Sequence, residues 1–238
     1  MRQTFQFLVL AIMLTIAASC QEVRADGPVI SQTRNHSQFT AISSSVAATV
    51  TYTQSPQFRV EIRAQQAILD KMKSEVVNGE LRFYYPKGAH IGNHEPINIY
   101  VSAPDVNDFD MAGSGKLQCS ELQAINKTVK LEVSGSGSIN FSKLTAAGVD
   151  AEVAGSGKMT VAAGTVTKES CEISGSGHID FNGLNADDVE VDISGSGKVH
   201  TTAKKTLDVS ISGSGKVYYN GTPRVKTSIS GSGKLVAN

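Results

Sequence analysis

The sequence has little of what a conventional globular core or a nucleic-acid surface requires. It contains no tryptophan, and aromatic residues make up 6% of its 238 residues. Lysine plus arginine equal aspartate plus glutamate at 22 each, so no net positive field attracts nucleic acid or an anionic membrane. Glycine, in contrast, occurs 22 times. This composition favours an all-β fold packed from small and β-branched side chains, and it argues against nucleic acid as a partner.

Long apolar runs are lacking after the first 20 residues. Within 1–20, Arg2 precedes an apolar stretch that ends in small residues and Cys20, which is typical of a secretory signal peptide. The segment 17–20 resembles a bacterial lipobox, which predicts lipidation at Cys20 and display as an outer-membrane or cell-surface lipoprotein. Cleavage after Ala25 is the alternative, and it would release a soluble periplasmic protein. In both cases we expect export, and a lipid anchor is the only membrane attachment that the sequence predicts.

The tripeptide Gly-Ser-Gly occurs seven times in the second half of the chain, at intervals of 22, 20, 20, 20, 18 and 18 residues. Its first glycines are Gly113, Gly135, Gly155, Gly175, Gly195, Gly213 and Gly231. Such a period holds two or three short strands and leaves no room for a helix. Glycine adopts the positive φ of a sharp corner at no steric cost. The repeat therefore predicts stacked coils that each turn at a Gly-Ser-Gly corner.

Apolar residues alternate with polar ones on both sides of each corner. Two residues before the first glycine stands a column that runs from Met111 to Ile229, and a second column precedes it by two residues. Two more apolar columns follow the corner, beginning at Leu117 and Cys119. A period of two places all four columns inside the coil. The sequence predicts a single-stranded parallel β-helix of about seven coils over 111–238.

The preceding region lacks the tripeptide but is still rich in strand-forming residues. Residues 38–110 contain several β-branched and aromatic runs, and only 65–76 has helical composition. We interpret 38–110 as irregular β structure with one short helix that caps the end of the coil. Residues 21–37 are interpreted as a linker.

Two segments resemble a known family. The run Gly137-Ser138-Ile139-Asn140 and the β-rich stretch ending in residues 98–104 resemble the bacterial putative autotransporter adhesin, head GIN domain family. The resemblance spans nearly all of the mature chain. It implies a β-helical fold, export and often a lipid anchor, and it brings no catalytic residues.

The two cysteines that remain after Cys20 are Cys119 and Cys171. Two cysteines in an oxidising compartment invite a disulfide. These two fall on opposite sides of the corner and more than one coil apart. We therefore expect no disulfide and predict two free, buried thiols.

Two outward columns of charge flank the corner. Directly after the second glycine stand the lysines of what we call the lysine ladder: Lys116, Lys158, Lys198, Lys216 and Lys234. Three residues before the first glycine, acids run from Asp110 to Asp192 and give way to Ser210 and Ser228. One interpretation is a solvated surface on which the two columns screen each other. The other is a cationic strip for an anionic glycan, lipopolysaccharide or a phosphate-bearing polymer, centred on Lys198, Lys216 and Lys234 because the acidic column lapses in the last two coils. Tyr218 and Tyr219 offer a sugar-stacking patch nearby.

Metal binding and glycoside hydrolysis are the other two kinds of chemistry that the sequence brings into question. His90, His94 and Glu95 could ligate a metal, but they lie in a predicted loop, where a surface hairpin is the better interpretation. We expect no metal and no cofactor. The outward acids form a regular column and not the singular carboxylate cluster of a glycosidase.

The sequence therefore favours a non-catalytic binding or structural module of the cell envelope, whose partner is an envelope polysaccharide or protein. A polysaccharide lyase or hydrolase on a β-helix scaffold is one alternative. A self-assembling scaffold, in which a homo-oligomer forms by stacking of coil ends, is the other.

Overall fold

The computed structural model describes residues 22–23 and 25–238, so the predicted signal peptide and Cys20 lie outside the described residues. The described chain is all-β with one short helix. Its elements are β1 (Glu22–Val23), β2 (Val29–Arg34), β3 (Ala41–Ser44), β4 (Thr49–Gln54), β5 (Arg59–Gln65), α1 (Gln66–Lys71), β6 (Lys73–Val77), β7 (Glu80–Tyr84), β8 (His90–Ile91), β9 (Asn98–Ala103), β10 (Asp108–Gly113), β11 (Lys116–Gly135), β12 (Ser138–Gly155), β13 (Lys158–Val161), β14 (Gly164–Gly175), β15 (His178–Gly195), β16 (Lys198–Gly213), β17 (Lys216–Asn220), β18 (Arg224–Gly231) and β19 (Lys234–Ala237).

Residues 108–237 form a β-solenoid of about six turns, which confirms the predicted fold class. Strands β10 to β19 pair in parallel with their counterparts one coil away. The seven first glycines fall in register through these pairings, from Gly113 opposite Gly135 to Gly213 opposite Gly231. Each coil has a pre-turn strand that ends at the corner and a post-turn strand that begins after it.

The four apolar columns point into the coil as the alternation predicts. Met111, Val133 and their counterparts are buried as far as Ile211, and the column that begins at Leu117 is buried as far as Val217. The last coil differs because no other coil covers it within the part of the chain that the structure describes. Every residue of β18 is exposed, and Ile229 keeps 40% of its surface.

The two glycines of each corner serve different purposes. The first has positive φ in all seven copies, for example 129° at Gly195. The second glycine does not have positive φ. A side chain does not fit at its position, because a Cβ on Gly197 would lie 2.5 Å from Cγ2 of Ile173 in the adjacent coil. The corner geometry explains the first glycine, as expected, whereas the second allows the core of the next coil to approach.

The N-terminal half continues the stack out of chain order. Strand β10 pairs in parallel with β3, and β3 pairs in parallel with β7. On the other side of the corner, β11 pairs with β4 and β4 pairs with β9. The coil made by 41–54 thus lies between the coil made by 80–103 and the first glycine-cornered coil.

Antiparallel strands and α1 close this end. Strand β5 lies antiparallel to β9, β6 lies antiparallel to β7, and α1 buries Ile68 and Leu69. The helix is shorter than the segment 65–76 that composition suggested, because Lys73–Val77 pairs with β7 instead. The segment 21–37, expected as a linker, contains β2, which pairs antiparallel with β5. No helix in the described residues has the length and apolarity to cross a membrane.

Candidate functional site

The outward side chains of the post-turn strands place the lysine ladder on one face of the rod. Lys198 pairs in register with Lys216, and Lys216 with Lys234. All three side chains are exposed, and neighbouring coils lie about 4.8 Å apart. These three residues, called the cationic strip below, form an uninterrupted run on the last three coils. The structure therefore brings together the three lysines that the sequence singled out.

The ladder lysines have no acidic partner in the described part of the chain. The ion pairs there involve arginines or other lysines, such as Lys130 with Glu132 and Lys226 with Asp208. The corner separates the ladder from the acidic column, so the two columns do not neutralise each other by direct contact. This arrangement leaves the cationic strip available to a partner.

Three aromatic rings contact one another on the same face, two of them beside the strip and one in line with it. The His200 and Tyr218 rings are stacked, with centroids 4.6 Å apart and planes at 17°. The His178 ring meets His200 edge-on at 5.4 Å. Tyr219 points the other way and packs against the core of the last coils. Tyr218 and Tyr219 are thus not brought together, and one face of Tyr218 is already covered by His200.

His178 occupies the ladder column between Lys158 and Lys198. Partial burial lowers its pKa, and the charges of Lys158 and Lys198 lower it further, whereas Asp180 opposes this effect. The imidazole is therefore neutral near neutral pH, and it interrupts the ladder between Lys158 and the cationic strip. His200 contributes to the same face, two residues along the next coil. Sequence analysis missed His200, although its position two residues after Lys198 makes it outward.

The pre-turn strands carry an acidic face, defined by their outward carboxylates: Asp108, Asp110, Glu132, Asp150, Glu152, Glu172, Glu190, Asp192 and Asp208. Burial and the neighbouring acid Glu132 raise the pKa of Asp110 to about 6. The acidic column fails at Ser210 and Ser228, as the sequence shows. The rod is therefore acidic on one side of the corner and basic on the other.

An open groove of about 540 Å³ runs along the start of the pre-turn strands. Three of its outward acids, Asp150, Glu190 and Asp208, belong to the acidic face, whereas Asp188 lies in register with Lys168 and Thr206. Glu169 also borders it, but this side chain is 1% exposed and lies in the inward column between Val149 and Val189.

Glu169 is the one acid of the inner columns, and it forms a small polar cluster in the core. Its Oε1 accepts hydrogen bonds from Thr201 Oγ1 at 2.6 Å and from Cys171 Sγ at 3.5 Å, whereas Oε2 has no partner. Burial raises the pKa of Glu169 to about 8. Sequence analysis missed this residue because it followed only the two apolar columns nearest the first glycine. Glu169 lies two residues further back, at the start of a pre-turn strand, where its register partners are Val149 and Val189.

The remaining candidates do not converge on a site. Cys119 and Cys171 are free and buried, and burial raises the pKa of both thiols. His94 Nδ1 contacts the Glu95 carbonyl, and the Glu95 amide donates to Gln65. No group of three or more metal-ligating side chains occurs among the described residues.

A family model described as putative auto-transporter adhesin, head GIN domain matches residues 38–223. The chain belongs to this family. The match confirms the resemblance found in the sequence and includes the first two lysines of the cationic strip. A search of curated proteins finds no match to this head GIN domain.

Solved structures show the same fold. A putative adhesin from Bacteroides fragilis is 22% identical with a TM-score of 0.80, covering 90% of this chain and 97% of the other. A putative adhesin from Parabacteroides merdae is 19% identical with a TM-score of 0.72, covering 91% and 99%. A protein from Parabacteroides distasonis described as a putative lipid binding protein is 24% identical with a TM-score of 0.73, covering 92% and 100%. At these identities the likeness establishes the head GIN fold alone.

Proposed function

We propose that this head GIN domain is a non-catalytic module of the cell envelope whose cationic strip binds an anionic glycan. The observation that carries the proposal is the in-register run of Lys198, Lys216 and Lys234, which has no acidic partner among residues 25–238. Like charges one coil apart repel by about 1 kcal/mol per pair in water. A polyanion that lies along the rod replaces this repulsion with attraction at every coil.

Charge removal tests the proposal. A variant with Lys198, Lys216 and Lys234 changed to glutamine should bind anionic polysaccharides about tenfold more weakly, since each exposed ion pair contributes roughly 0.5 kcal/mol. Immobilised polygalacturonate and heparin, with the neutral polymer dextran, serve as probes in biolayer interferometry. Binding of the unaltered domain should weaken as salt increases.

A matched control loses the same charge elsewhere. Lys130, Lys168 and Lys226 are exposed and lie on the pre-turn strands, among the acids. Their simultaneous replacement by glutamine should leave glycan binding nearly unchanged. Equal losses in both triple variants would mean that only net charge matters, and unaltered binding in the strip variant would refute the proposed site.

The proposal that the domain is non-catalytic rests on where its carboxylates lie. Glycosidases need a carboxylic acid of raised pKa that reaches the scissile bond, with a second carboxylate nearby. Glu169 has a raised pKa, but its Oε1 is held by Thr201 and Cys171 in the core. We expect no release of reducing sugars from polysaccharides that the domain binds. Turnover that disappears in Glu169→Gln would favour the enzymatic alternative.

We further propose that a lipid on Cys20 holds the domain at the outer membrane or cell surface. The signal-like segment that ends at this cysteine supports the proposal. Full-length protein made in a bacterial host should incorporate labelled palmitate, and Cys20→Ser should not. Unlabelled mature protein that begins after Ala25 would indicate the soluble periplasmic alternative.

A further inference from the structure

We infer that the glycan bound by the cationic strip carries a negative charge on every sugar, as in a polyuronate, and not on every second sugar. This inference rests on the proposed function and adds the substrate class. It follows from the spacing of the strip, which offers one lysine for each coil with no coil omitted.

The strip has a repeat that the parallel stacking fixes. Lys198, Lys216 and Lys234 are register partners on consecutive post-turn strands, so their Cα atoms are separated by about one strand spacing of 4.8 Å. One sugar of an extended polysaccharide advances by a similar length. A chain that runs along the rod therefore presents one sugar to each lysine, and the flexible lysine stems can follow the carboxylates.

The residues around the cationic strip limit its length at one end and line it along one side. One coil before Lys198, the column position is held by His178, which is neutral near neutral pH. Lys158 lies one coil before His178. The stacked rings of His200 and Tyr218 stand beside the strip and form a wall on the outward surface of the same strands. The cationic strip is thus a short row of three lysines. A polymer that carries a charge on every second sugar can form ion pairs only with the first and last of them, Lys198 and Lys234.

The number of ion pairs that each polymer can form with the cationic strip distinguishes the two charge spacings. A polyuronate can pair with all three lysines, whereas a polymer with a charge on every second sugar can pair with Lys198 and Lys234 alone. The difference is one exposed ion pair, which corresponds to about a two- to fivefold difference in affinity. Removing the middle lysine abolishes this difference, because both polymers then make two contacts.

The experiment compares oligogalacturonate with hyaluronan oligomers that carry equal numbers of carboxylates, so that the number of charges is matched and their spacing differs, and the lysine variants separate the effect of spacing from that of sugar type. Affinities are measured by isothermal titration calorimetry for the unaltered domain, Lys216→Gln and Lys234→Gln. The unaltered domain should favour oligogalacturonate about two- to fivefold. Lys216→Gln should lose this preference, whereas Lys234→Gln should keep it, since two lysines then remain on adjacent coils.

The outcomes separate this inference from the proposed function. Equal affinity for the two oligomers, or a preference that survives Lys216→Gln, would overturn the inference while leaving an anion-binding strip in place. Absence of binding to either oligomer, together with absence of binding to the wider panel of anionic glycans, would overturn both.

Discussion

At the scale of single residues, Glu169 is an acid buried in the aliphatic core of the solenoid. An acid within an aliphatic column costs free energy, because burial disfavours its charged form and Oε2 finds no hydrogen-bond partner. Its pKa rises from 4.5 to about 8 on folding. The folded state therefore binds a proton that the unfolded state releases. The free energy of unfolding should fall as pH rises from about 4.5 to about 8, by up to about 1.4 kcal/mol for each pH unit.

We predict that Glu169→Leu stabilises the domain at pH 8 by about 1–3 kcal/mol, because it removes a buried titrating group at a site flanked by valines. Thr201 loses its acceptor, which offsets part of the gain. Urea unfolding at pH 5 and pH 8 measures the effect as a difference from the unaltered protein, since Asp110 and His178 also titrate. Glu169→Gln is the control that keeps the shape and removes the titration. A pH dependence that is the same in all three proteins would contradict the prediction.

Some site residues could be predicted from the sequence and others could not. The difference is whether the repeat determines their position. The cationic strip could be predicted because its members occupy the same place in successive repeats. The orientation of Tyr219 and the covering of one face of Tyr218 by His200 depend on packing in the last coils, which the repeat does not specify. Glu169 is an acid in a column of aliphatic residues, so only an alignment of the repeats that extends to the start of each pre-turn strand would have revealed it.

At the scale of elements, the corner is the most constrained unit. The first glycine combines a positive φ with close backbone approach: a Cβ on Gly195 would lie 2.4 Å from the Gly175 carbonyl oxygen. We predict that Gly195→Ala destabilises the domain by about 2–4 kcal/mol, since both the dihedral angle and the stacking distance must change. Thermal and urea unfolding provide the measurement.

Gly88→Ala is a matched control for the corner. Gly88 has a φ of 82°, but a Cβ there would meet nothing within 4 Å. Its substitution should therefore lower the free energy of unfolding only by the cost of holding an alanine at positive φ, about 1 kcal/mol. A Gly195 variant that is no less stable than the Gly88 variant would show that adjacent corners can separate without penalty.

Element order was predictable only where the sequence repeats. Self-similarity fixes the register of β10 to β19, and the glycines mark it. The N-terminal strands share no motif, so nothing in the sequence places β3 between β7 and β10. Pairings between segments distant along the chain depend on side-chain packing over the whole end of the rod, and local strand propensity carries no information about them.

At the scale of the whole molecule, the two ends of the rod differ. One end is closed by antiparallel strands and α1, whereas the last coil exposes Val225, Ile229 and Val236 along with one edge of β18 and β19. Unpaired strand edges of this kind favour association with a second chain. We predict that the domain self-associates through this coil, and that Ile229→Lys weakens the association at least tenfold by placing charge on the apolar surface.

Sedimentation velocity over a range of concentrations measures this association. Val29→Lys is the control, because Val29 is 43% exposed on β2 at the closed end. It should leave self-association unchanged. A strictly monomeric unaltered protein, or a Val29 variant that is impaired instead, would exclude association through the last coil.

The placement of the 41–54 coil has a consequence for how such proteins change length in evolution. This coil lies between the coil made by 80–103 and the first glycine-cornered coil, so the order of the coils in space differs from their order along the chain. A deletion or duplication within 41–119 would therefore disrupt the pairing of several coils at once. Beyond this segment, the strands of each coil pair in register only with those of the two adjacent coils, and one period of sequence is one layer of structure. Gene duplication or deletion of about 20 residues can therefore lengthen or shorten the rod without disturbing its closed end. Each layer added with its lysine would lengthen the charged track by one step.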